Sequence, residues 1–325
     1  MKRPYLSGYL RACWSFVQAF FLAALLFLGL FSFPSVLPTS FLYEENVKRA
    51  VDFLVYAQYN PDLRLCREAP NAAPNVYWLL SDNLLAQYAL KDYYPEISKA
   101  IHSELKRRGH AEDEHWDALL GKPIPVPNKK MMTLTIEQTE NYTIKAHVRN
   151  EAEHLVDWAQ YADRLLLHSL SLVWKGDIEQ AELYFSYAKE LWTGKGVMDP
   201  PQAQAGLYET YKLSMLLLVS KVLEEPLPFQ RELEQILWSL QRDDGGIFTH
   251  YKIETLEPGE EADANTETTA VTIIAYTYKK AGRLDVALII TVGTFIVATI
   301  VLILCIIYIL YIIHRMKKKK SAKLQ

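Results

Sequence analysis

LWSLQRDDGGIFTHY, residues 237–251, runs an apolar, tryptophan-bearing helix end into an acidic double-glycine turn and then into aromatic residues. Gly245 and Gly246 permit the positive φ that a side chain resists at a helix end. Asp244 is placed to accept from amides that the turn exposes, and Gln241 to reach back to loose carbonyls. The stretch therefore reads as a helix stop. Gln241, Asp244, Gly245 and Gly246 take structural roles in it, and Phe248 to Tyr251 leave as a strand or edge.

Helical spacing dominates on either side of this stop. YEENVKRAVDFLVYAQ places Val47, Ala50, Val51, Leu54 and Ala57 on one stripe, and NVYWLLSDNLLAQYALKDYY continues the period after a proline-bounded loop. Further helices are predicted at 94–108, 152–174, 177–192, 203–223, 228–241 and 264–281. In GDIEQAELYFSYAKEL the spacing of Gly176, Ile178, Ala181, Phe185 and Ala188 suits close packing of an antiparallel helix pair. A single such unit does not make a solenoid, which needs about three repeats or more. One stretch departs from the pattern. Residues 122–149 hold three prolines and then alternate in Met132 to Ile136 and Tyr142 to Ala146, which predicts a β-hairpin or extended insertion.

Two apolar runs flank these segments. Residues 14–33 and the uncharged 286–313 are each long enough for a transmembrane helix. Lys2, Arg3 and Arg11 precede the first run, and Arg315, Lys317, Lys318, Lys319, Lys320 and Lys323 follow the second, so both termini are expected in the cytoplasm. The division is then a basic tail with an N-terminal anchor (1–34), an extracytoplasmic domain (35–284), a C-terminal transmembrane helix (285–314) and a basic tail (315–325). A cleaved signal peptide is the alternative for the first run; LFSFPSVLPTS offers no clear small-x-small cleavage site, which favours an anchor. The expected location is a two-span protein of the cell membrane, with the lipid bilayer as one partner.

Residues 35–284 carry 26 basic and 37 acidic residues, a net charge of −11. No basic stripe is available to neutralise phosphates, so nucleic acid is not an expected partner. Cys66 is the lone cysteine of that segment, which leaves no intradomain disulfide. Asn141-Tyr142-Thr143 forms a glycosylation sequon in the insertion.

LQRDDGG with its following aromatic resembles the turn of α/α-toroid proteins such as terpene cyclases and protein prenyltransferase β-subunits. The resemblance covers about a dozen residues and extends loosely into ADANTETTAVTIIAY. It implies an all-α ectodomain, an α/α-toroid or incomplete (α/α) barrel with a small β-hairpin insertion, in which helix N-termini line one mouth. The cyclase acid motif DxDD is absent and no prenyltransferase-like zinc set is found, so neither activity carries over.

Loops at such a mouth combine acids with aromatics. They hold Tyr77, Trp78 and Asp82 in NVYWLLSDN, Tyr208, Glu209, Tyr211 and Lys212 in GLYETYK, and Asn265, Glu267 and Thr268 in ANTETT. In α/α-barrel glycosidases and polysaccharide lyases, aromatics stack on sugars and two carboxylates flank the scissile bond. Asp82, Glu209 and Glu267 are therefore the candidate catalytic acids of a glycoside hydrolase or polysaccharide lyase, and Tyr77, Trp78, Tyr208, Tyr211 and Asn265 the candidate ligand contacts. Each has a plainer role as a helix-end charge, core aromatic or solvated pair. HAEDEHWD (His110, Glu112, Glu114, His115, Asp117) lacks HExxH spacing and reads as a solvated loop, and no metal or cofactor is expected. The main functional expectation is binding or cleavage of a polysaccharide. The alternative is a non-catalytic scaffold holding envelope proteins through helix-pair faces or the 122–149 arm.

Overall fold

The computed structural model describes residues 43–71, 75–112 and 115–279, with scattered helical positions between 299 and 315. Helix α1 (Glu44–Asp52) buries Val47, Ala50 and Val51 at helical spacing and carries Glu44 and Glu45 at its positive end. It widens into a π-helical turn, Phe53–Gln58, before β1 (Tyr59–Asn60), which pairs antiparallel with β2 (Leu65–Cys66). Strand β3 (Val76–Trp78) enters a second π-helical turn, Leu79–Asn83, that continues as α2 (Leu84–Leu90). Helix α3 (Pro95–Arg107) starts on Pro95, whose missing N–H costs nothing in a first turn.

Strands β4 (Lys129–Gln138) and β5 (Thr143–His154) make a long antiparallel hairpin, and β5 also takes β3 in parallel, giving the order β3-β5-β4. Helices α4 (Ala162–Lys175) and α5 (Ile178–Glu190) pack as a pair across Gly176, whose φ is 83°. Ala181, Phe185 and Ala188 face the core, and Ser169 Oγ donates to the Ala181 carbonyl at 2.8 Å. The remaining elements are α6 (Pro200–Ala205), β6 (Leu207–Glu209), α7 (Thr210–Leu223), α8 (Gln230–Ser239), β7 (His250–Lys252) and α9 (Thr266–Thr277). Helices α7 and α9 are apolar almost all round and lie together in the centre, joined by a 2.8 Å bond between Ser214 and Thr272 hydroxyls.

The stretch at 237–251 is a helix stop that docks on the first helix. Gly245 has φ 96°, Asp244 Oδ1 accepts from the Gly246 amide at 3.2 Å, and the Gln241 side chain exchanges bonds with the Asn46 side chain and backbone at 2.8 Å. Arg49 donates to the carbonyls of Arg242 and Asp243 at 2.8 and 3.0 Å. A Cβ on Gly246 would press on Phe53 Cε2 at 2.7 Å. Residues after the turn reach β7, which pairs antiparallel with β6.

The architecture corrects the all-α expectation. The described residues are about 52% helical with 18% strand in three small sheets, so neither an α/α-toroid nor an incomplete (α/α) barrel describes them. The double-glycine turn joins α8 to a short strand and binds α1; its chemistry is that of any tight helix stop. The 122–149 insertion does contain a hairpin, but β3 pairs with it, so it belongs to the domain's sheet. The two transmembrane helices and the two-span membrane location are withdrawn as well. No helix among the described residues is long and apolar enough to cross a membrane. Residues 14–33 lie outside the described residues, and 286–313 contribute only isolated positions.

Candidate functional site

Four carboxylate-bearing residues stand at the starts of four helices. Asp82 lies in the π-helical turn before α2, Asp163 in the first turn of α4, Glu209 just ahead of α7 and Glu267 in the first turn of α9. A helix start favours negative charge, but crowding and burial oppose it.

Asn83 fixes the Asp82 turn. Its Oδ1 accepts from the Cys66 amide at 2.6 Å, and its Nδ2 donates to the carbonyls of Cys66 and Trp78 at 3.0 and 2.8 Å. Asp82 is 2% exposed; its Oδ1 accepts from Ser81 Oγ at 2.9 Å, and its Oδ2 has no hydrogen-bond partner among the described residues. The Ser81 hydroxyl also lies near the Glu267 carboxyl, where it slightly offsets the upward shift of that group. Helix α9 is held beside Glu68, because the Thr266 amide donates to the Glu68 carbonyl at 2.9 Å and Thr266 Oγ1 to that of Arg67 at 2.6 Å. Asn265 Oδ1 caps α9 by accepting from the Thr268 amide at 2.8 Å.

This crowding changes the chemistry. Burial, then the charges of Glu267 and Glu68, push the Asp82 carboxyl well above its ordinary value. Burial, then Glu209, Glu68 and Asp163, raise Glu267 from 4.5 to about 8. Glu267 keeps some exposed surface, yet protein surrounds its carboxyl as it would an interior group. At neutral pH Glu267 thus holds a proton beside charged neighbours.

A cleft of about 390 Å³ is lined by two of the four acids, Asp163 and Glu209, together with Lys130, Tyr161, Arg164, Tyr211 and Lys212 among others; Asp82 and Glu267 are not in its lining. Glu209 pairs with Lys212 Nζ at 2.6 Å, and Lys212 also pairs with the buried Asp199. Burial and the surrounding acids raise the Tyr211 phenol well above its ordinary value, so it remains a neutral donor. Arg164, on the cleft wall, donates from Nη1 toward His115 Nδ1 at 3.2 Å.

The chain matches no family model, no curated protein and no solved structure. The functional reading therefore rests on this geometry alone, and the toroid resemblance has no counterpart among solved structures.

Of the sequence-derived candidates, Asp82, Glu209, Glu267 and Tyr211 fall in or beside one cluster. The others stand elsewhere. Tyr77 is buried, with its hydroxyl accepting from Asn60 Nδ2 at 3.0 Å, and Tyr208 is buried against Tyr251 with its hydroxyl 2.6 Å from Thr193 Oγ1. Trp78 packs on His147, ring centroids 4.3 Å apart, under the hairpin. Asn265 is a helix cap. These four have structural partners that account for them and are not carried forward as ligand contacts. Asn141 sits exposed in the β4–β5 turn. Among the described residues no group of three or more His, Cys, Asp or Glu is placed to hold a metal ion. Sequence reasoning missed Glu68, Ser81, Asp163, Arg164 and Asp199. Ser81 alone had a signal, its place directly before Asp82.

Proposed function

We propose that the cleft binds a polysaccharide chain and that the acidic cluster cleaves a glycosidic bond by general acid–base catalysis. The supporting observation is the enclosure of the Glu267 carboxyl among Glu209, Glu68 and Asp163, which raises it from 4.5 to about 8, while Glu209 is ion-paired with Lys212. Two carboxyls with opposite protonation states are what glycoside hydrolysis requires. Glu267 delivers its proton to the glycosidic oxygen as the bond to the anomeric carbon breaks. Glu209 takes a proton from the attacking water, whose oxygen bonds to that carbon. Tyr211 donates to sugar hydroxyls, and burial with the nearby Glu209, Glu68 and Asp163 keeps Glu267 protonated.

The test is reducing-end release from oligosaccharides by the full chain. Glu267→Gln should lower kcat by at least about 100-fold, the usual worth of a positioned acid, while leaving KM within a few-fold. Turnover by Glu267→Gln at the wild-type rate would refute the assignment.

A second reading, a non-catalytic scaffold, is favoured by one observation. Met132, Leu134 and Ile136 are 41%, 37% and 36% exposed along the edge strand β4, and an exposed apolar edge invites pairing with another chain. A wild-type protein that neither binds nor cleaves any oligosaccharide, but loses a protein partner on Leu134→Lys, would establish it.

A further inference from the structure

Beyond the cleft, α4 carries its line of side chains one turn further, from Arg164 on the cleft wall to His168, about 6 Å along the helix axis. Around His168 stands a cluster of rings. Trp158 stacks on Tyr184 with centroids 5.8 Å apart, the His168 ring meets Tyr184 edge-on at 4.5 Å and Trp158 at 5.3 Å, and Tyr187 meets Tyr184 at 6.0 Å. The backbone also connects the two places. Trp158 lies in a 3-10 turn, Trp158–Gln160, between Leu155 and Tyr161, and both of those line the cleft.

Two properties separate this cluster from an ordinary outlying piece of core. First, it is not sealed: Trp158 and Tyr184 are half-buried, while Tyr187 is 43% exposed. Second, it contains an unanswered polar atom. His168 is 6% exposed, and its Nδ1 has no hydrogen-bond partner among the described residues. Leaving such a group dry and unpaired costs on the order of 1–3 kcal/mol. Flat apolar rings with a polar group at their base match a pyranose, which offers an apolar face and a rim of hydroxyls.

We propose that Trp158, Tyr184 and Tyr187, with His168 beneath them, form a distal sugar-binding subsite that holds a pyranose unit of the same chain whose scissile bond lies in the cleft. This inference rests on the polysaccharide reading of the cleft. Trp158 and Tyr184 supply the stacking platform and Tyr187 its outer edge, and the buried His168 ring props both edge-on from beneath. Burial, aided by Lys175, holds the His168 imidazole below its ordinary value, so the prop is a neutral ring.

The experiment is a chain-length series with the full-length protein. Binding of cello-oligosaccharides and of oligogalacturonates, from two to six units, is measured by calorimetry for wild type, Trp158→Ala and Tyr187→Ala. Wild type should bind the six-unit member of one series about tenfold tighter than the two-unit member. Trp158→Ala and Tyr187→Ala should each lose most of that gain and leave two-unit affinity within about twofold. The unchanged two-unit affinity also reports an intact fold; should Trp158→Ala fail to fold, Tyr187→Ala at the surface carries the comparison. Six-unit binding by Trp158→Ala or Tyr187→Ala equal to wild type overturns the subsite and leaves the cleft reading standing. Absence of wild-type binding to every member of both series overturns the cleft reading and the subsite together.

Discussion

Replacing Glu267 by Gln removes a titrating group and keeps its shape, so it isolates what proton binding at this position does for stability. The folded protein raises Glu267 from 4.5 to about 8. A carboxyl raised on folding binds its proton more tightly in the folded state. Its contribution to stability is therefore fully present below about pH 4.5 and is lost as pH rises through about 8. At about 1.4 kcal/mol per pH unit, that gap sets a ceiling of about 5 kcal/mol. Partial solvent contact and coupling to Asp82 reduce this to about 1–3 kcal/mol. Glu267→Gln should match wild type within about 0.5 kcal/mol at pH 4.5 and be more stable by about 1–3 kcal/mol at pH 8.5. For a domain of this size that is roughly 3–10 °C in Tm. The assay is thermal unfolding of both proteins from pH 4.5 to 9. Taking the difference between them removes the opposing effect of His115, His147 and His168, which burial holds low and which therefore lose stability as pH falls. A variant less stable than wild type at pH 8.5, or a difference that does not change with pH, refutes the reasoning.

Two further substitutions probe the frame around the site. Lys212→Met leaves Asp199 and Glu209 without their shared cation and should cost about 3–5 kcal/mol in chemical denaturation, with Asp199→Asn recovering part of it in the double variant. Gly245→Ala places a Cβ against the Arg49 carbonyl oxygen at a φ of 96° and should cost at least about 2 kcal/mol, read as a lowered denaturation midpoint.

Long periodic elements were legible in the sequence. The runs that became α3, α5, α8 and α9 announced themselves by apolar spacing, and the alternation at Met132 to Ile136 marked the hairpin. The short strands β3 and β6 did not, because three residues are too few to show a period of two, whereas β7 overlaps the strand or edge read at Phe248 to Tyr251 from the glycine turn before it. Val76 to Trp78 and Leu207 to Glu209 were accordingly absorbed into neighbouring helices. That error also decided the fate of the aromatics. In a three-residue strand the middle side chain points inward, so Tyr77 and Tyr208 went to the core where helical spacing had suggested a mouth. The acids fared differently, because Asp82, Glu209 and Glu267 sit at helix starts, and capping chemistry is readable locally. Asp163, Asp199 and Glu68 carried no motif. Their proximity to the others is a product of tertiary packing, notably the Thr266 bonds that place α9 against Glu68.

The most direct test of the account is the protonation of the buried carboxyl itself. Infrared difference spectra of the full chain between pH 6.5 and 9 should show a protonated-carboxyl C=O component that disappears with a midpoint near pH 8, and Glu267→Gln should remove that component and leave any band that Asp82 contributes. A spectrum in which every carboxyl is already ionised at pH 6.5 would contradict it.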